Sequence, residues 1–460
     1  MEKQKTIKEK IKFSGKGIHT GVYTNMTLVP AKDNNGIVFI RTDQNNLKIN
    51  ADVNNVVSTE RSTNLGVNGI FIKTVEHILA AVVGNNIDNL IIKVDNEEIP
   101  ILDGSSQEFS KNIRKVGTNT QNSFKKFYTI KNKIYYKDEE SGTEIIAIPD
   151  EEYNIDVTID YNSETLKVQN SILSSLKKFH SEIASSRTFC FLHELEQLLE
   201  NNLIKGGNIN NAIVVVENKI DNIKLSNLAK EFGKEDIQIS EGGILNNLTL
   251  RHKNEAARHK LLDVIGDLAL VGFPIKGKII ATKPGHTHNT NFAKKLKDII
   301  IRDMKSTEPV IDFNEKPYYD REQIMEILPH RDPFLFIDEI RDLGDDFIIG
   351  VKFVKEEEEY FKGHFPGAPV MPGVLQLETM AQAGGVLILN TVNDPENYLT
   401  FFMKIDNAKF KRKVVPGDTI IFKLELISPI RRGLCHMHGT GFVNGKIVVE
   451  ADLLAQIAKK

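Results

Sequence analysis

The stretch RHKLLDVIGDLALVGFPIKGK, residues 258–278, decides the fold of the first half of the chain. Apolar residues recur from Ala256 to Ala269 at about the 3.6-residue period of an α-helix. This pattern predicts a helix over 252–270, which the Gly272-Phe273-Pro274 sequence ends. A β-like run follows the breaker, so the stretch is typical of a helix that packs on a sheet.

The same helix carries polar residues in a spacing that suits a metal ion. His259 and Asp263 are four residues apart, so both side chains leave one helix face and can bind one ion. Asp267 extends that face by one turn. A His-x-x-x-Asp pair alone more often belongs to a solvated helix face, and Asp267 can equally pair with Lys260.

Two other short patterns contain residues of the right chemistry. Thr74-Val75-Glu76-His77 opens a predicted helix, and Gly285-His286 lies in a loop after a predicted strand. Two histidines and one carboxylate with an open position form a common catalytic zinc arrangement. A carboxylate beside a ligand, such as Glu76, can take a proton from water. Spacing alone does not join these three patterns.

Composition limits the class of protein. The chain has 460 residues, enough for about three domains, and its net charge of −3 argues against non-specific nucleic-acid binding. The two cysteines, Cys190 and Cys435, are too few for a disulfide framework and suit a reducing cytoplasm. The charged N-terminus resembles no secretory signal, and no apolar run reaches transmembrane length. We expect a cytoplasmic enzyme.

Changes of pattern along the chain predict the domain organisation. Short strands around a helix at 74–83 form a first part, and the polar residues 119–126 read as a turn-rich boundary. Strands are predicted near 126–136, 145–149, 154–160 and 212–216, and a polar, proline-containing linker over 303–318. Beyond it, strands at 347–353, 419–427 and 435–443 flank one helix, 374–389, which indicates an α+β domain.

Six ordered motifs in residues 1–303 closely resemble UDP-3-O-acyl-N-acetylglucosamine deacetylase, the zinc amidase of lipid A biosynthesis in Gram-negative bacteria. They are GKGIHTG (15–21), TVEHILAA (74–81), PILDGSS (100–106), SSRTFCFL (185–192), the 258–278 stretch and GHTHN (285–289). The resemblance implies two tandem domains of β-α-α-β sandwich type, at 1–122 and 123–303, that face one another around the site.

The resemblance also implies roles for individual residues. His77, His259 and Asp263 match the zinc ligands, Glu76 the general base, and His286 the acid that protonates the leaving amine. Thr188 matches a residue that stabilises the oxyanion, and Phe189 a substrate contact. Lys260 and Asp267 match neighbours that tune charge and hold His286. Phe191 and Leu192 are further candidates for an acyl groove, although such a cluster is more often core.

The sequence departs from the family pattern at three places. His288 replaces the usual Leu of the GHxLN motif, and Asn210 stands where an Asp is frequent. The residues 251–254, Arg-His-Lys-Asn, are basic where the family is usually acidic. None of these changes removes a ligand or the base, so they affect substrate contacts rather than the chemistry.

The densest group of prolines and glycines lies in GHFPGAPVMPGVLQLETMAQAGG, residues 363–385. These residues require a rigid backbone conformation before a helix that begins near Gly373. The first N–H groups of that helix can bind a carbonyl oxygen. Glu378 lies in an otherwise apolar helix, where a carboxylate is costly unless it is paired or functional. His364 and Glu378 together fit acid and base chemistry, although an isolated pair of this kind is usually structural.

With ILPHRDPFLFID (327–338) and KFKRKVVPGD (409–418), this motif resembles (3R)-hydroxyacyl-acyl-carrier-protein dehydratase of type II fatty acid synthesis. The resemblance covers 318–460, after a linker at 304–317, and implies a hot-dog fold, in which an antiparallel sheet wraps one long helix. It implies a site shared across a dimer, often within a trimer of dimers, with no cofactor. Asp332, where Tyr is common, is a peripheral departure.

The resemblance assigns His364 and Glu378 as the catalytic pair and Gly373 as a thioester contact. A basic group could steer the acidic carrier protein, or could be a solvated strand edge: Lys404, Lys409, Lys411, Arg412 and Lys413. The alternatives left open are a hot-dog thioesterase for the second half, a binding module without turnover for the first, and a non-catalytic scaffold for either half.

Overall fold

The structure is a computed structural model of the 460-residue chain, and the fold is described for residues 2–194, 211–217, 238–240, 243–245, 249–305 and 307–460. It divides into two compact units, residues 1–300 and 301–460. Both units combine helices with sheets that are largely antiparallel, which confirms the α+β prediction. Among the described residues, no helix has both the length and the apolar character needed to span a bilayer.

The first unit begins with strands that form a five-stranded sheet in the order β2-β3-β9-β4-β5 and a three-stranded sheet β6-β7-β8. Two helices belong to this part: α1, Glu76–Gly84, and α2, Gln107–Val116. The strands are β1 Lys3–Ile7, β2 Ile11–Lys16, β3 Tyr23–Pro30, β4 Ile37–Arg41, β5 Leu47–Asn50, β6 Val56–Ser58, β7 Asn64–Val67, β8 Ile70–Ile72, β9 Leu90–Val94 and β10 Thr118–Phe124.

The turn-rich conformation predicted over 119–126 is wrong, because β10 occupies most of these residues and pairs antiparallel with β1. The domain boundary predicted at 122–123 stays a prediction. The polar side chains that suggested a loop are used in hydrogen bonds. The Gln121 side chain donates to the carbonyl of Ala31 at 2.9 Å, and the Ser123 N–H donates to Asp33 at 2.7 Å. Pairing with a distant strand therefore outweighs the local turn preference.

The second half of this unit holds the order β12-β13-β18-β14-β15, with β11 beside β18, and the pair β16-β17. The single strand predicted near 126–136 is interrupted, since β11 and β12 are separate elements. The elements are β11 Tyr128–Thr129, β12 Ile134–Asp138, β13 Thr143–Ile148, β14 Tyr153–Ile159, β15 Gln169–Leu173, α3 Phe179–Glu182, β16 Phe189–Phe191, β17 Ile213–Val215, α4 Glu255–Ala269, β18 Ile275–Thr282 and α5 His286–Lys305.

The second unit is a six-stranded antiparallel sheet around one long helix, which confirms the hot-dog prediction. The strand order is β19-β20-β22-β23-β24-β21, so β21 is an edge strand. One apolar core joins the long helix to the sheet. The elements are α6 Arg321–Ile327, β19 Glu339–Leu343, β20 Phe347–Phe353, α7 Gly373–Leu389, β21 Tyr398–Phe410, β22 Thr419–Arg431, β23 Leu434–Val443 and β24 Lys446–Lys459.

Of the linker predicted over 303–318, residues 303–305 belong to the end of α5, whereas residues 307–318 have neither helix nor strand. The Arg341 guanidinium lies 4.8 Å from the centre of the Phe313 ring and donates to the Glu315 carbonyl at 2.8 Å. Phe313 also contacts Phe353, with ring centres 6.1 Å apart. Tyr319 and Ile340 exchange two backbone hydrogen bonds. Residues 313–319 are therefore held against the sheet of the second unit.

Replacement of Arg341 by Lys tests this attachment. Lys keeps the positive charge but loses the planar stacking on Phe313 and the forked hydrogen bonding to carbonyls. We expect amide hydrogen exchange in residues 310–318 to rise roughly tenfold, which corresponds to about 1 to 2 kcal/mol of local stability. Tyr23→Ala, which removes an exposed aromatic ring from β3, is the control and should leave exchange in 310–318 unchanged. Equal exchange in Arg341→Lys and wild type would show that Arg341 does not hold the segment.

Candidate functional site

The first site forms where α1 crosses α4, and a glycine permits the crossing. A Cβ atom on Gly266 of α4 would lie 2.1 Å from the backbone carbonyl oxygen of Glu76 in α1, a distance that no side chain can occupy. The two helices therefore approach backbone to backbone. This approach brings the start of α1, with Glu76 and His77, beside His259 and Asp263 in the middle of α4.

His77, His259 and Asp263 converge as the sequence predicts for a metal site. Their ligand atoms all lie within 4.8 Å of one another, and the three residues are buried. Nε2 of His259 lies 3.4 Å from Oδ1 of Asp263, and Nε2 of His77 lies 3.8 Å from the same oxygen. Among the described residues, this is the one group of three or more His, Cys, Asp or Glu side chains close enough to share an ion.

Three further observations agree with a metal ion at this point. Oδ1 of Asp263 is buried and has no hydrogen-bond partner, which is costly unless a cation binds it. Nδ1 of His259 lies 3.1 Å from the Ser186 carbonyl and donates to it, which leaves the Nε2 lone pair for a ligand bond. Burial lowers the pKa of His77 to about 3, so this ring is also neutral at physiological pH.

Asp263 remains ionised in this buried position. Burial alone raises the pKa of its carboxyl group, but electrostatic interactions with the neighbouring His259 and Lys260 hold the pKa well below its usual range. Nζ of Lys260 donates to Oδ2 of Asp263 at 2.9 Å. One oxygen is thus paired with lysine, and the other faces the two histidines. The three residues offer a neutral, neutral and anionic ligand set, which suits a divalent metal ion.

Glu76 lies next to this group and is 2% exposed. Its Oε2 accepts a hydrogen bond from the backbone N–H of Thr63 at 3.1 Å. Burial raises the pKa of Glu76 to about 8, against the opposing effect of the positive charge of His286. A carboxyl group with a pKa near neutrality can both accept and release a proton, as a general base requires.

His286 is held on the other side of the site by Asp267. Nδ1 of His286 donates to Oδ2 of Asp267 at 3.0 Å. Burial alone lowers the pKa of His286, but the Asp267 carboxylate outweighs it and raises the pKa to about 9. The ring is therefore a cation near neutral pH and suits proton donation. The expected pairing of Asp267 with His286 is present, whereas Lys260 contacts Asp263.

Thr63 and Asn289, which the sequence did not single out, both bind Asp267 on this side of the site. The Thr63 hydroxyl donates to Oδ1 of Asp267 and lies 3.3 Å from Nδ1 of His286, while its N–H binds Glu76. The Asn289 side chain donates to Oδ2 of Asp267 at 2.9 Å. Asn289 belongs to the GHTHN motif, which was a usable signal. Thr63 is a single threonine 13 residues before Glu76, and nothing local distinguishes it.

Thr188 and Phe189 belong to a segment that lines the site. The Thr188 N–H donates to the Gly104 carbonyl at 2.8 Å, which fixes the backbone just before Phe189. The Phe189 ring lies 6.4 Å from that of His259 and 5.8 Å from Nζ of Lys260. Phe191 and Leu192 are buried, so they belong to the core rather than to an open acyl groove.

The departures from the family pattern have structural positions where the chain is described. Nδ1 of His288 lies 3.1 Å from the Tyr136 hydroxyl, within the second half of the unit. In the basic stretch, Arg251 pairs with Asp103 at 2.9 Å, and its N–H donates to Glu255, which also pairs with the buried Arg187. Asn210 lies outside the described residues.

The second site is built on the start of α7. Nδ1 of His364 donates to the Val370 carbonyl at 2.8 Å, so Nε2 is the nitrogen available to accept a proton. Gly373 is the first residue of α7, where backbone N–H groups have no intrahelical partner. A Cβ there would lie 2.7 Å from the Phe410 ring, which explains the glycine. Glu378 lies farther along the same helix.

His364 and Glu378 do not meet within one chain. Over the described residues, Glu378 contacts Gln382, whose Nε2 lies 3.0 Å from its Oε1, and His330, whose Nε2 lies 3.6 Å from the same oxygen. The predicted basic group is partly neutralised, because Lys404 pairs with Asp406, and both Lys409 and Lys411 pair with Glu450. Arg412 and Lys413 are exposed.

Comparison with protein families gives two matches. The family model for UDP-3-O-acyl N-acetylglycosamine deacetylase matches residues 4–237 and 232–298. The FabA-like domain model matches residues 328–452. The two matches follow one another in the same order as the two compact units.

Comparison with individual proteins gives relatives that extend over the whole chain. A "Bifunctional enzyme LpxC/FabZ" of Bacteroides thetaiotaomicron is 47% identical over 461 residues and covers 100% of both chains. The protein of the same name in Porphyromonas gingivalis is 45% identical, with 99% of each chain covered. A UDP-3-O-acyl-N-acetylglucosamine deacetylase of Thermodesulfovibrio yellowstonii is 39% identical over 67% of this chain and 97% of its own.

Metal analysis of ligand variants tests the first site. Asp263→Ala removes the buried oxygen that faces both histidines, so we expect bound divalent metal to fall from about one ion per chain to nearly none. His252→Ala is the matched control, since His252 lies just before the same helix and contacts Ser185. Elemental analysis after dialysis checks both. Full metal content in Asp263→Ala, or equal loss in His252→Ala, would contradict the assignment.

Proposed function

The chain belongs to the family of bifunctional LpxC/FabZ enzymes, and from that membership we propose how each site performs its reaction. The first activity removes the acetyl group from UDP-3-O-(3-hydroxyacyl)-N-acetylglucosamine, a step of lipid A biosynthesis. The second dehydrates (3R)-hydroxyacyl-ACP to trans-2-enoyl-ACP in fatty acid biosynthesis. The observation that carries the first proposal is the convergence of His77 and His259 on the unpartnered oxygen of Asp263. We place both reactions in the cytoplasm.

We propose that zinc is the metal of the deacetylase. Two imidazoles and one carboxylate leave a fourth position open, as catalytic zinc requires. When bound, zinc supplies a Lewis acid that polarises the acetamide carbonyl and lowers the pKa of a nearby water. The neutral histidines and the ionised Asp263 are already in the protonation states that ligands need.

The remaining steps are assigned to residues around the ligands. Glu76 takes a proton from a water molecule while the oxygen of that water attacks the acetamide carbon. The Thr188 hydroxyl donates a hydrogen bond to the oxygen that becomes negative. His286, held by Asp267, then gives its proton to the sugar nitrogen as the carbon–nitrogen bond breaks. The products are acetate and a free amine on the UDP-linked sugar, and Phe189 contacts the substrate beside the site.

For the dehydratase, we propose a site shared by two copies of the chain. The edge strand β21 exposes a row of large apolar side chains: Phe401, Phe402, Met403, Ile405 and Phe410. Met403 is 57% exposed and Phe401 52%. A long apolar edge strand with free backbone groups favours pairing with another chain. A homodimer would cover this strand and bring a second copy next to Glu378, and the dimer could assemble further into a hexamer.

Within that dimer, the partner's His364 removes the proton α to the thioester carbonyl through its free Nε2. Glu378 protonates the hydroxyl that leaves as water, and the electrons of the broken C–H bond form the double bond. The N–H of Gly373 donates to the thioester oxygen. The substrate arrives on acyl carrier protein, and Arg412 and Lys413 are the exposed basic residues best placed to attract its negative charge.

Replacement of Glu76 by Gln separates the proposed base from the metal ligands. We expect Glu76→Gln to keep its metal and fold but to lose deacetylation by about a hundredfold or more, because an amide cannot accept the water's proton. Acetate release, measured beside dehydration of a hydroxyacyl thioester on the same sample, checks this, and dehydration serves as the internal control. Near-wild-type acetate release would remove Glu76 from the role of base.

Complementation tests the shared dehydratase site. His364→Ala and Glu378→Ala should each be inactive alone, yet mixed dimers contain one site with both residues and one with neither. Random mixing makes about half of the dimers mixed, so about a quarter of wild-type sites should recover. Deacetylation should be unchanged throughout, since its residues come from one chain. Absence of recovery despite proven subunit mixing, or full dehydration by a monomer, would contradict a shared site.

A further inference from the structure

Gln382 lies one helical turn after Glu378 in α7 and is nearly fully buried, with 1% of its surface exposed. A buried amide must have its donors and acceptor satisfied, and this one makes four contacts. Oε1 accepts from the N–H groups of Phe336 and Ile337 at 2.8 and 3.3 Å. Nε2 donates to the Phe334 carbonyl at 2.8 Å and to Oε1 of Glu378 at 3.0 Å.

These contacts permit one orientation of the amide. Exchange of its oxygen and nitrogen would place the NH₂ group against two N–H donors and the oxygen against the Phe334 carbonyl and the Glu378 carboxylate. The residues 334–337 therefore act as a fixed template that points an N–H of Gln382 at Glu378. The orientation follows from the backbone partners alone and does not depend on the protonation of Glu378.

We propose that Gln382 is a positioning residue of the dehydratase, which fixes Oε1 of Glu378 as a hydrogen-bond acceptor and leaves Oε2 as the oxygen that carries the catalytic proton. This inference rests on the role proposed above for Glu378. An oxygen that accepts a hydrogen bond from an amide N–H cannot hold its proton along that direction, so the proton is directed to the other oxygen. The Oε2–H bond then breaks as the substrate's carbon–oxygen bond breaks and water leaves.

The surroundings of Glu378 make this single contact important. Glu378, Gln382 and His330 belong to the wall of a cavity of about 210 Å³, and the other residues that line it are uncharged. Within one chain, His330 is the titratable group of this wall that faces Glu378, and burial lowers the pKa of His330 below its ordinary value. In the proposed dimer the partner's His364 is a second titratable group beside Glu378. Nε2 of His330 lies 3.6 Å from Oε1 of Glu378, beyond hydrogen-bond distance, so among the described residues of one chain the Gln382 N–H is the donor that fixes this oxygen.

Loss of the Gln382 N–H should slow dehydration. Without the Gln382 N–H, Oε1 of Glu378 is no longer fixed as a hydrogen-bond acceptor, so the carboxyl group loses its orientation. We expect Gln382→Met to lower kcat for dehydration about tenfold or more with KM changed less than about threefold.

Gln382→Glu provides a second variant of nearly identical shape, in case loss of the buried amide perturbs folding. Its carboxyl oxygen can still accept from Phe336 and Ile337. When protonated, its single O–H replaces the N–H that the amide directs at Glu378 but leaves the Phe334 carbonyl without a donor. When ionised, it repels Glu378. Its dehydratase activity should therefore approach wild type at low pH and be lost as pH rises, a response that wild type does not show.

The assay follows enoyl absorbance from a (3R)-hydroxyacyl-carrier-protein thioester with the full-length chain between pH 5 and 9. Thr379→Val is the matched control, because it removes a buried hydroxyl that binds the Leu375 carbonyl of the same helix. It should keep the wild-type kcat and pH profile even if thermal stability falls. Deacetylation should be unchanged in every variant.

The Glu378 and Gln382 variants test the roles of these two residues separately. An inactive Glu378→Gln with wild-type kcat and pH profile in Gln382→Met would overturn the role of Gln382 and retain that of Glu378. Full activity of Glu378→Gln would overturn the proposed function of Glu378 itself, and the role of Gln382 with it. A Gln382→Glu profile that parallels wild type over the whole pH range would also overturn the positioning role.

Discussion

The deacetylase site depends on the close approach of two helix backbones at Gly266. Because Gly266 has no side chain, the carbonyl of Glu76 lies where a Cβ atom would otherwise be. That contact fixes α1 against α4 and brings residues nearly 190 positions apart in sequence into one ligand set. Any side chain at Gly266 would push α1 away and separate His77 from Asp263, so the geometry of the metal site begins with a packing constraint.

Burial of charge is the consequence of that packing. Four carboxyl groups around this crossing are each at most 2% exposed: Glu76, Asp263, Asp267 and Glu255. Each of them accepts at least one hydrogen bond from a neighbouring residue. Asp267 binds Thr63, His286 and Asn289, and Glu255 pairs with Arg187. Buried carboxylates without partners are strongly destabilising. Among the described residues, Oδ1 of Asp263 is the one buried carboxylate oxygen without a hydrogen-bond partner, which points to a cation.

The sequence predicted elements whose signal is local and missed those set by distant contacts. The 3.6-residue period located α4 to within a few residues, and the glycines and prolines before Gly373 located the start of α7. Spacing placed His259 and Asp263 on one face, but only the resemblance joined His77 and His286 to them. β10 was missed because β1 satisfies its polar backbone, and Thr63 because it acts through residues that follow it by 13 to 223 positions.

X-ray absorption at the zinc edge of the purified full-length chain examines the metal centre most directly. Ligation by His77, His259 and Asp263 predicts a four-coordinate first shell of nitrogen and oxygen at about 2.0–2.1 Å, with multiple scattering from two imidazoles. Asp263→Ala should abolish this signal or change its oxygen contribution. A first shell that contains sulfur at about 2.3 Å, a single imidazole, or no bound zinc would contradict the proposed zinc centre.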